Sequence, residues 1–252
     1  MRRIAILNQK GGVGKTSTAV NLSAALARMG QKVCVIDLDP QAHASLHLGV
    51  SPGRRGSIYD VLSGNASLAD VRQEAKENLW LVGSHIDLAA TEVELAGVVG
   101  REVILRDQLE NDHEPFDFII MDCPPSLGVL TVAALTAADG VLIPLQCETL
   151  SHRGVGQLLD TVHDVRRFTN RALAVWGVLP TLYDGRTTHA RTVLETISET
   201  YQLDVIEPPI PKTIKFAEAP AAGRSILRTS RTSKGAVAYR AVAANLVKRA
   251  AV

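Results

Sequence analysis

The chain has 252 residues, a formal charge of +1, and 46% hydrophobic, 21% charged and 4% aromatic residues. That supplies enough Ala, Val, Leu and Ile for one large α/β domain over residues 1–252, and the balanced total charge excludes a surface given over wholly to polyanions. No stretch approaches the ~18 apolar residues of a membrane span, and the apolar run behind Met1-Arg2-Arg3 is too short for a secretion signal, so a cytoplasmic protein without stable membrane association is expected.

In chain order, Ile4–Leu7 reads as a buried strand running into Lys10-Gly11-Gly12-Val13-Gly14-Lys15-Thr16. A helix is predicted over Thr16–Met29, with Ala19, Val20, Leu22, Leu26 and Ala27 on its stripe and Gly30 as its stop. Val33–Ile36 is a second strand, closed by Asp37-Leu38-Asp39. His43 and His47 then stand at i, i+4 spacing; with no third ligand apparent, the reading is a hydrated helix face and not a metal site. Strands follow at Leu79–Val82, Phe116–Met121 (ending in Asp122), Val141–Leu145 and Ala174–Leu179, with a short last one at Asp204–Ile206. Helices are predicted over Glu92–Leu109, Leu127–Ala138, Gly154–Thr169, Thr187–Tyr201 and Lys234–Arg249, and a rigid loop over Glu207–Pro211. Such alternation predicts one doubly wound, mostly parallel sheet with helices on both faces and ligands at the carboxyl ends of its strands. Cys34, Cys123 and Cys147 have no pairing or metal spacing and are expected as buried free thiols.

A strand, a glycine-rich turn and a helix make a phosphate cradle. Gly11, Gly12 and Gly14, with Val13, let backbone N–H groups turn inward; Lys15 adds a point charge, Thr16 offers a hydroxyl to Mg²⁺, and Ser17 sits where a hydroxyl reaches an α-phosphate. Two departures narrow the class: Gln9 stands where the ordinary loop has its first glycine, and Lys10 adds a second cation. Asp122 and Asp37 end apolar strands, where a carboxylate is costly unless it serves a metal shell; Asp39 is assigned to orienting the attacking water. Farther on, seven cations between Lys212 and Arg240 face only Glu218, a local charge of +6 that leaves −5 for the rest of the chain. That is the pattern of an electrostatic footprint.

Asn8-Gln9-Lys10-Gly11-Gly12-Val13-Gly14-Lys15-Thr16, Asp37-Leu38-Asp39-Pro40-Gln41 and Asp122-Cys123-Pro124-Pro125-Ser126 resemble the motifs of ParA/Soj-type partition ATPases. The likeness continues through Ser57–Leu62, Ile86–Ala89, Ile210-Pro211-Lys212 and Glu218-Ala219-Pro220. The resemblance implies ATP and Mg²⁺ as cofactors and a nucleotide-sandwich homodimer in which Lys10 reaches the partner's phosphates. It implies an adenine pocket that includes Pro211, and a contact from Glu148 to the partner's nucleotide. It further implies non-specific double-stranded DNA binding by the dimer, with Lys212, Lys215, Arg224, Arg228, Arg231 and Lys234 as candidates, hydrolysis stimulated by a ParB-type protein, and a nucleoid-associated location. A membrane-cycling regulator similar to MinD is the alternative.

Overall fold

The computed structural model of the chain describes residues 1–50, 56–148 and 151–250. Among them, strands β1 (Arg2–Ile6), β2 (Val33–Asp37), β3 (Gln73–Lys76), β4 (Leu79–Val82), β5 (Phe118–Asp122), β6 (Gly140–Gln146) and β7 (Ala174–Thr181) form one sheet in the order β3-β4-β2-β5-β1-β6-β7. All neighbours are parallel except β3, which runs antiparallel to β4. The helices are α1 (Lys15–Arg28), α2 (His43–Leu48), α3 (Ile58–Leu62), α4 (Leu68–Val71), α5 (Thr91–Glu94), α6 (Ile104–Glu110), α7 (Val129–Ala137), α8 (Ser151–Phe168), α9 (Thr188–Tyr201), α10 (Lys215–Ala221), α11 (Ile226–Thr229) and α12 (Lys234–Ala250).

Strand side chains alternate between two cores. Ala5, Cys34, Ile36 and Met121 join α3, α6, α7 and α8 on one face. Ile4, Ile6, Val33, Val35 and Ile120 join α1, α11 and α12 on the other. Burial on both faces is why these strands read as continuous apolar runs. β1 lies between β5 and β6, so the chain departs to one side after β1 and to the other after β5. A doubly wound sheet opens its ligand crevice at that reversal, and the phosphate loop follows β1 directly.

Four local expectations change. Glu92–Leu109 is not one helix: 3₁₀ turns occupy Leu95–Gly97 and Arg101–Val103, with Val98 extended and Gly100 at φ +77°, so the run is α5, a break and α6. Asp204–Ile206 contributes one bridge, Val205 to Val178, because Pro208 and Pro209 follow without N–H donors. That approach also dictates Gly177 (φ +133°), where a Cβ would stand 2.3 Å from the Asp204 carbonyl oxygen. β3 escapes periodicity because Ala75 is its one apolar residue. His47 is buried, not on a hydrated face: α2 runs beneath the loop at Gly223, and Gly49 and Gly223, both at positive φ, pack backbone to backbone.

Candidate functional site

The loop leaves the sheet between β5 and β6 and is fastened from three sides. The Asn8 side-chain amide donates to the Pro144 carbonyl at 2.7 Å, and its oxygen accepts from Lys10 N–H at 3.0 Å. From the end of β7, the Thr181 hydroxyl donates to the Val13 carbonyl at 2.6 Å in a buried contact. Lys15 Nζ donates back to the Lys10 carbonyl at 3.2 Å. Gly12 and Gly14, at φ +76° and +88°, occupy the left-handed region that favours glycine. Gly11 needs no such explanation, and a Cβ there would meet no protein atom within 4 Å. Packing leaves its small size unexplained; close approach of a ligand to the backbone explains it. α1 begins at Lys15 with no side-chain cap, so its first N–H groups and dipole face the loop.

Three carboxylates meet this rim. Asp37 and Asp122 are register partners at the ends of β2 and β5, and both are fully buried. Asp37 has its hydrogen bonds: Ser45 donates through N–H (3.0 Å) and hydroxyl (2.8 Å), and Asp39 N–H donates at 3.2 Å. Burial nonetheless pushes Asp37 up to about 6. Among the described residues neither oxygen of Asp122 has a well-formed hydrogen bond, although the Thr16 hydroxyl stands close to it. Burial, and then the charge of Asp37, hold it well above the usual carboxylate range, tempered by the Thr16 hydroxyl and the Lys15 ammonium. Lys15 is in turn lowered by burial, against the pull of Asp122 and Asp39. Asp39 is partly exposed, and one of its oxygens accepts from Gln41 N–H at 3.0 Å.

A buried carboxylate without donors is expensive, and a divalent cation is the group that reverses the cost. Asp122 and Thr16 therefore fit as an oxygen-donor set for a hard cation. The loop glycines, Lys15 and Ser17 at the head of α1 fit a polyphosphate. Asp37, expected in the metal shell, accepts three hydrogen bonds within the 37–45 turn and lies beside Asp122 in register. Pro211 lies in an apolar cleft of about 410 Å³ with Tyr183, Pro208 and Pro209. Tyr183 N–H donates to the Ile210 carbonyl at 3.0 Å, which ties that cleft to the strand whose Thr181 holds the loop. Lys10, expected to reach a second subunit, forms an ion pair with Glu148 of its own chain, with both side chains close to half-exposed.

The six basic candidates divide. Lys215 pairs with Glu218 at 2.8 Å. Lys212 adds to the pull of Arg186 that holds Asp184 down to about 2. Lys234 lines the Pro211 cleft. Arg224 and Arg228 instead line a separate cleft at the far end of α1, joined by Arg28, and Arg231 lies close to it. Arg28 and Thr181 were absent from the sequence reading. A polar residue closing an apolar strand was the available signal for Thr181; Arg28 carried none, since its neighbours come from the other end of the chain. Among the described residues no group of His, Cys, Asp and Glu is arranged to hold a metal ion by itself. The three cysteines are buried and free, with Cys34 pushed up to about 12 and Cys147 to about 11 by burial.

A family profile described as "AAA domain" matches residues 1–175. The sporulation initiation inhibitor protein Soj of Bacillus subtilis is 42% identical over 94% of each chain. The chromosome partitioning protein ParA of Caulobacter vibrioides is 40% identical over 99% of this chain and 95% of its own. Among solved structures, one described as cobyrinic acid a,c-diamide synthase from Mycobacterium smegmatis, with bound ATP analog and magnesium, superimposes with a TM-score of 0.88 at 44% identity, covering 99% of this chain and 95% of the other. Loop, strand-end acids, sheet order and near end-to-end likeness agree, and the chain belongs to the ParA/Soj-type partition ATPases of the P-loop class.

Proposed function

We propose that the chain hydrolyses ATP with Mg²⁺ as a homodimer, holds duplex DNA without sequence preference in the ATP state, and releases it when a ParB-type partner stimulates hydrolysis. The observation that carries this reading is Asp122, buried without a well-formed hydrogen bond beside the Thr16 hydroxyl and the desolvated Lys15 at the mouth of the loop. Bound Mg²⁺ supplies positive charge where phosphate oxygens become negative. The loop's N–H groups and Lys15 hold the phosphates still, Thr16 and Asp122 provide oxygen ligands for the metal, and Ser17 reaches the α-phosphate. Asp39, the least buried of the three acids, orients the attacking water. Lys10 leaves Glu148 to place its charge on the partner's phosphates, which ties charge stabilisation to dimerisation. Glu148 is then released to touch the partner's nucleotide, and the Pro211 cleft takes adenine. Arg224, Arg228 and Arg231 meet DNA phosphates, with Lys212, Lys215 and Lys234 at the periphery.

The membrane-cycling alternative requires a free amphipathic helix. Here Ala238, Tyr239, Val242, Ala243 and Leu246 of α12 are buried in the α1 core, and no helix among the described residues is long and apolar enough to cross a membrane. The full chain with ATP is expected to be retained on random-sequence duplex DNA at low salt and to stay in the supernatant with anionic liposomes. Asp39→Ala is expected to bind ATP and accumulate as a dimer on size exclusion with light scattering. A monomer in ATP, with no DNA retention, overturns the reading.

A further inference from the structure

β7 ends at Thr181, and the chain then bends at Leu182, whose φ of +48° lies in the left-handed region. Side chains with a Cβ avoid that region, and one as bulky as leucine enters it at a cost. Asn78, Gln202 and Ala42 share it, each with a local reason: Asn78 turns the chain between β3 and β4, Gln202 caps the C-terminus of α9, and Ala42 leads into α2. Leu182 neither caps a helix nor closes a hairpin. A bend of this kind persists only where its surroundings over-determine it, and such bends gather at working sites.

Both neighbours of Leu182 are held. On one side, Thr181 is buried and applies both branches of its side chain to the phosphate loop. Its hydroxyl donates to the Val13 carbonyl at 2.6 Å, and its methyl lies 3.9 Å from where a Cβ on Gly14 would stand. A β-branched side chain is stiff, so the two contacts fix each other. On the other side, Tyr183 carries the apolar cleft that Pro211 lines. Tyr183 N–H donates to the Ile210 carbonyl at 3.0 Å, and its carbonyl accepts from Lys212 N–H at 3.2 Å. Before the bend, the Pro180 carbonyl accepts from Ile210 N–H at 2.7 Å. Residues 210–212 therefore lie along 180–183, with Tyr183 and Pro211 as a parallel bridge. Four consecutive residues fasten the loop at Thr181 and the cleft at Pro180 and Tyr183, and the left-handed residue is the one between those two duties.

We propose that Thr181 and Leu182 are positioning residues that fix the span between the phosphate loop and the apolar cleft, so that the site is set for a polyphosphate carrying a flat base and not for polyphosphate alone. Thr181 acts through Val13 and Leu182 through the backbone of Tyr183. Binding at a remote part of a ligand places its reacting part only when the two subsites are rigidly joined. The inference rests on the ATP reading and adds to it the element that joins the two halves of the site.

The test compares two ligands by calorimetry on the full chain with Mg²⁺: a non-hydrolysable ATP analogue, and inorganic tripolyphosphate, which has no base. Leu182→Val puts a β-branched residue, poorly suited to positive φ, at the bend; Leu182→Asn puts there a residue that tolerates it. Leu182→Val is expected to weaken the ATP analogue about tenfold and tripolyphosphate less than about twofold, with Leu182→Asn within about threefold of wild type for both. The reverse order, with valine tolerated and asparagine not, identifies side-chain packing in place of the bend and overturns the assignment, as does equal weakening of both ligands in Leu182→Val. If Leu182→Val does not fold, Leu182→Ala takes its place with the same order expected. At the loop, Thr181→Val is expected to weaken both ligands alike and to lower kcat about tenfold, and Thr181→Ser, which keeps the hydroxyl, to restore both. A serine variant as impaired as the valine one removes Thr181 from the proposal. Wild type that binds tripolyphosphate as tightly as the ATP analogue overturns this inference alone; wild type that binds neither overturns the parent reading and this one with it.

Discussion

The two ends of α1 handle charge in opposite ways. At its N-terminus, Lys15 is largely desolvated and feels the fully buried Asp122 and the partly exposed Asp39. At its C-terminus, Arg28 joins exposed arginines that form no ion pair among the described residues. Buried charges interact strongly and select one small partner of defined size; solvated charges interact weakly, sum over many contacts and fade with salt. One helix therefore joins a selective site to a tolerant one. The joint is specific: the Thr18 and Tyr239 hydroxyls are 3.1 Å apart, and Asn21 accepts from Ile226 N–H at 2.8 Å while donating to the Ser17 carbonyl at 2.7 Å. Through those bonds the first two turns of α1 hold both α12 and the head of α11, which carries Arg228.

The sharpest way to break the contrast is Lys15→Ala, expected to lower ATP turnover about 1000-fold in a phosphate-release assay, the scale of losing a preorganised charge at the reacting group. Arg28→Gln should leave the same assay untouched. Next comes acid stability. Burial pushes His47, behind the arginine cleft, down to about 4, so the folded chain keeps it neutral where the unfolded chain, near 6.5, takes up a proton. Its contribution is complete above pH 6.5 and is lost as pH falls toward 4, on the order of 3 kcal/mol over the window. Asp37, raised to about 6, works in the opposite sense, costing stability as pH climbs from about 4 to 6. The difference in urea stability between wild type and His47→Gln isolates the histidine, and parallel pH profiles would remove this account. A charge reversal at the tolerant end, Arg228→Glu with Arg231→Glu, should weaken DNA retention about 50-fold at low salt and far less at high salt, with nucleotide affinity unchanged by calorimetry. Asn21→Ala should be smallest: about 1–2 kcal/mol lost in denaturant unfolding, because the Ile226 N–H is left buried without an acceptor. Its informative readout is whether ATP still promotes DNA retention when the fold is intact.

Much of the selective end was legible in sequence, because what it needs is local. Ile4–Leu7 and Phe116–Met121 are apolar on both faces, and acids placed where such runs stop have few structural uses. What holds each acid was not legible: Ser45, eight residues from Asp37, donates twice to one of its oxygens, whereas Asp122 has no well-formed hydrogen bond among the described residues. The tolerant end was legible only as a density of cations. Which of them act together depends on residues about 200 positions apart meeting at Arg28, and spacing along the chain carries no trace of that. The misreading of His47 has the same origin, since an i, i+4 pair on a six-residue helix looks solvated until another segment covers it. Glu92–Leu109 failed for a local reason instead, as Gly97 and Gly100 outweighed its periodicity.

Lys10 and Glu148 already satisfy each other within one subunit. In the homodimer proposed above, assembly would be a swap, in which the ammonium trades a carboxylate at home for an anion next door, and its balance would reflect a difference of two attractions. A pair this exposed is worth less than about 1 kcal/mol, roughly a factor of five in equilibrium. Such a catch is soft: it raises the concentration at which solitary subunits couple without forbidding it, and it restrains a loose cation from greeting the wrong anion while the subunit is alone.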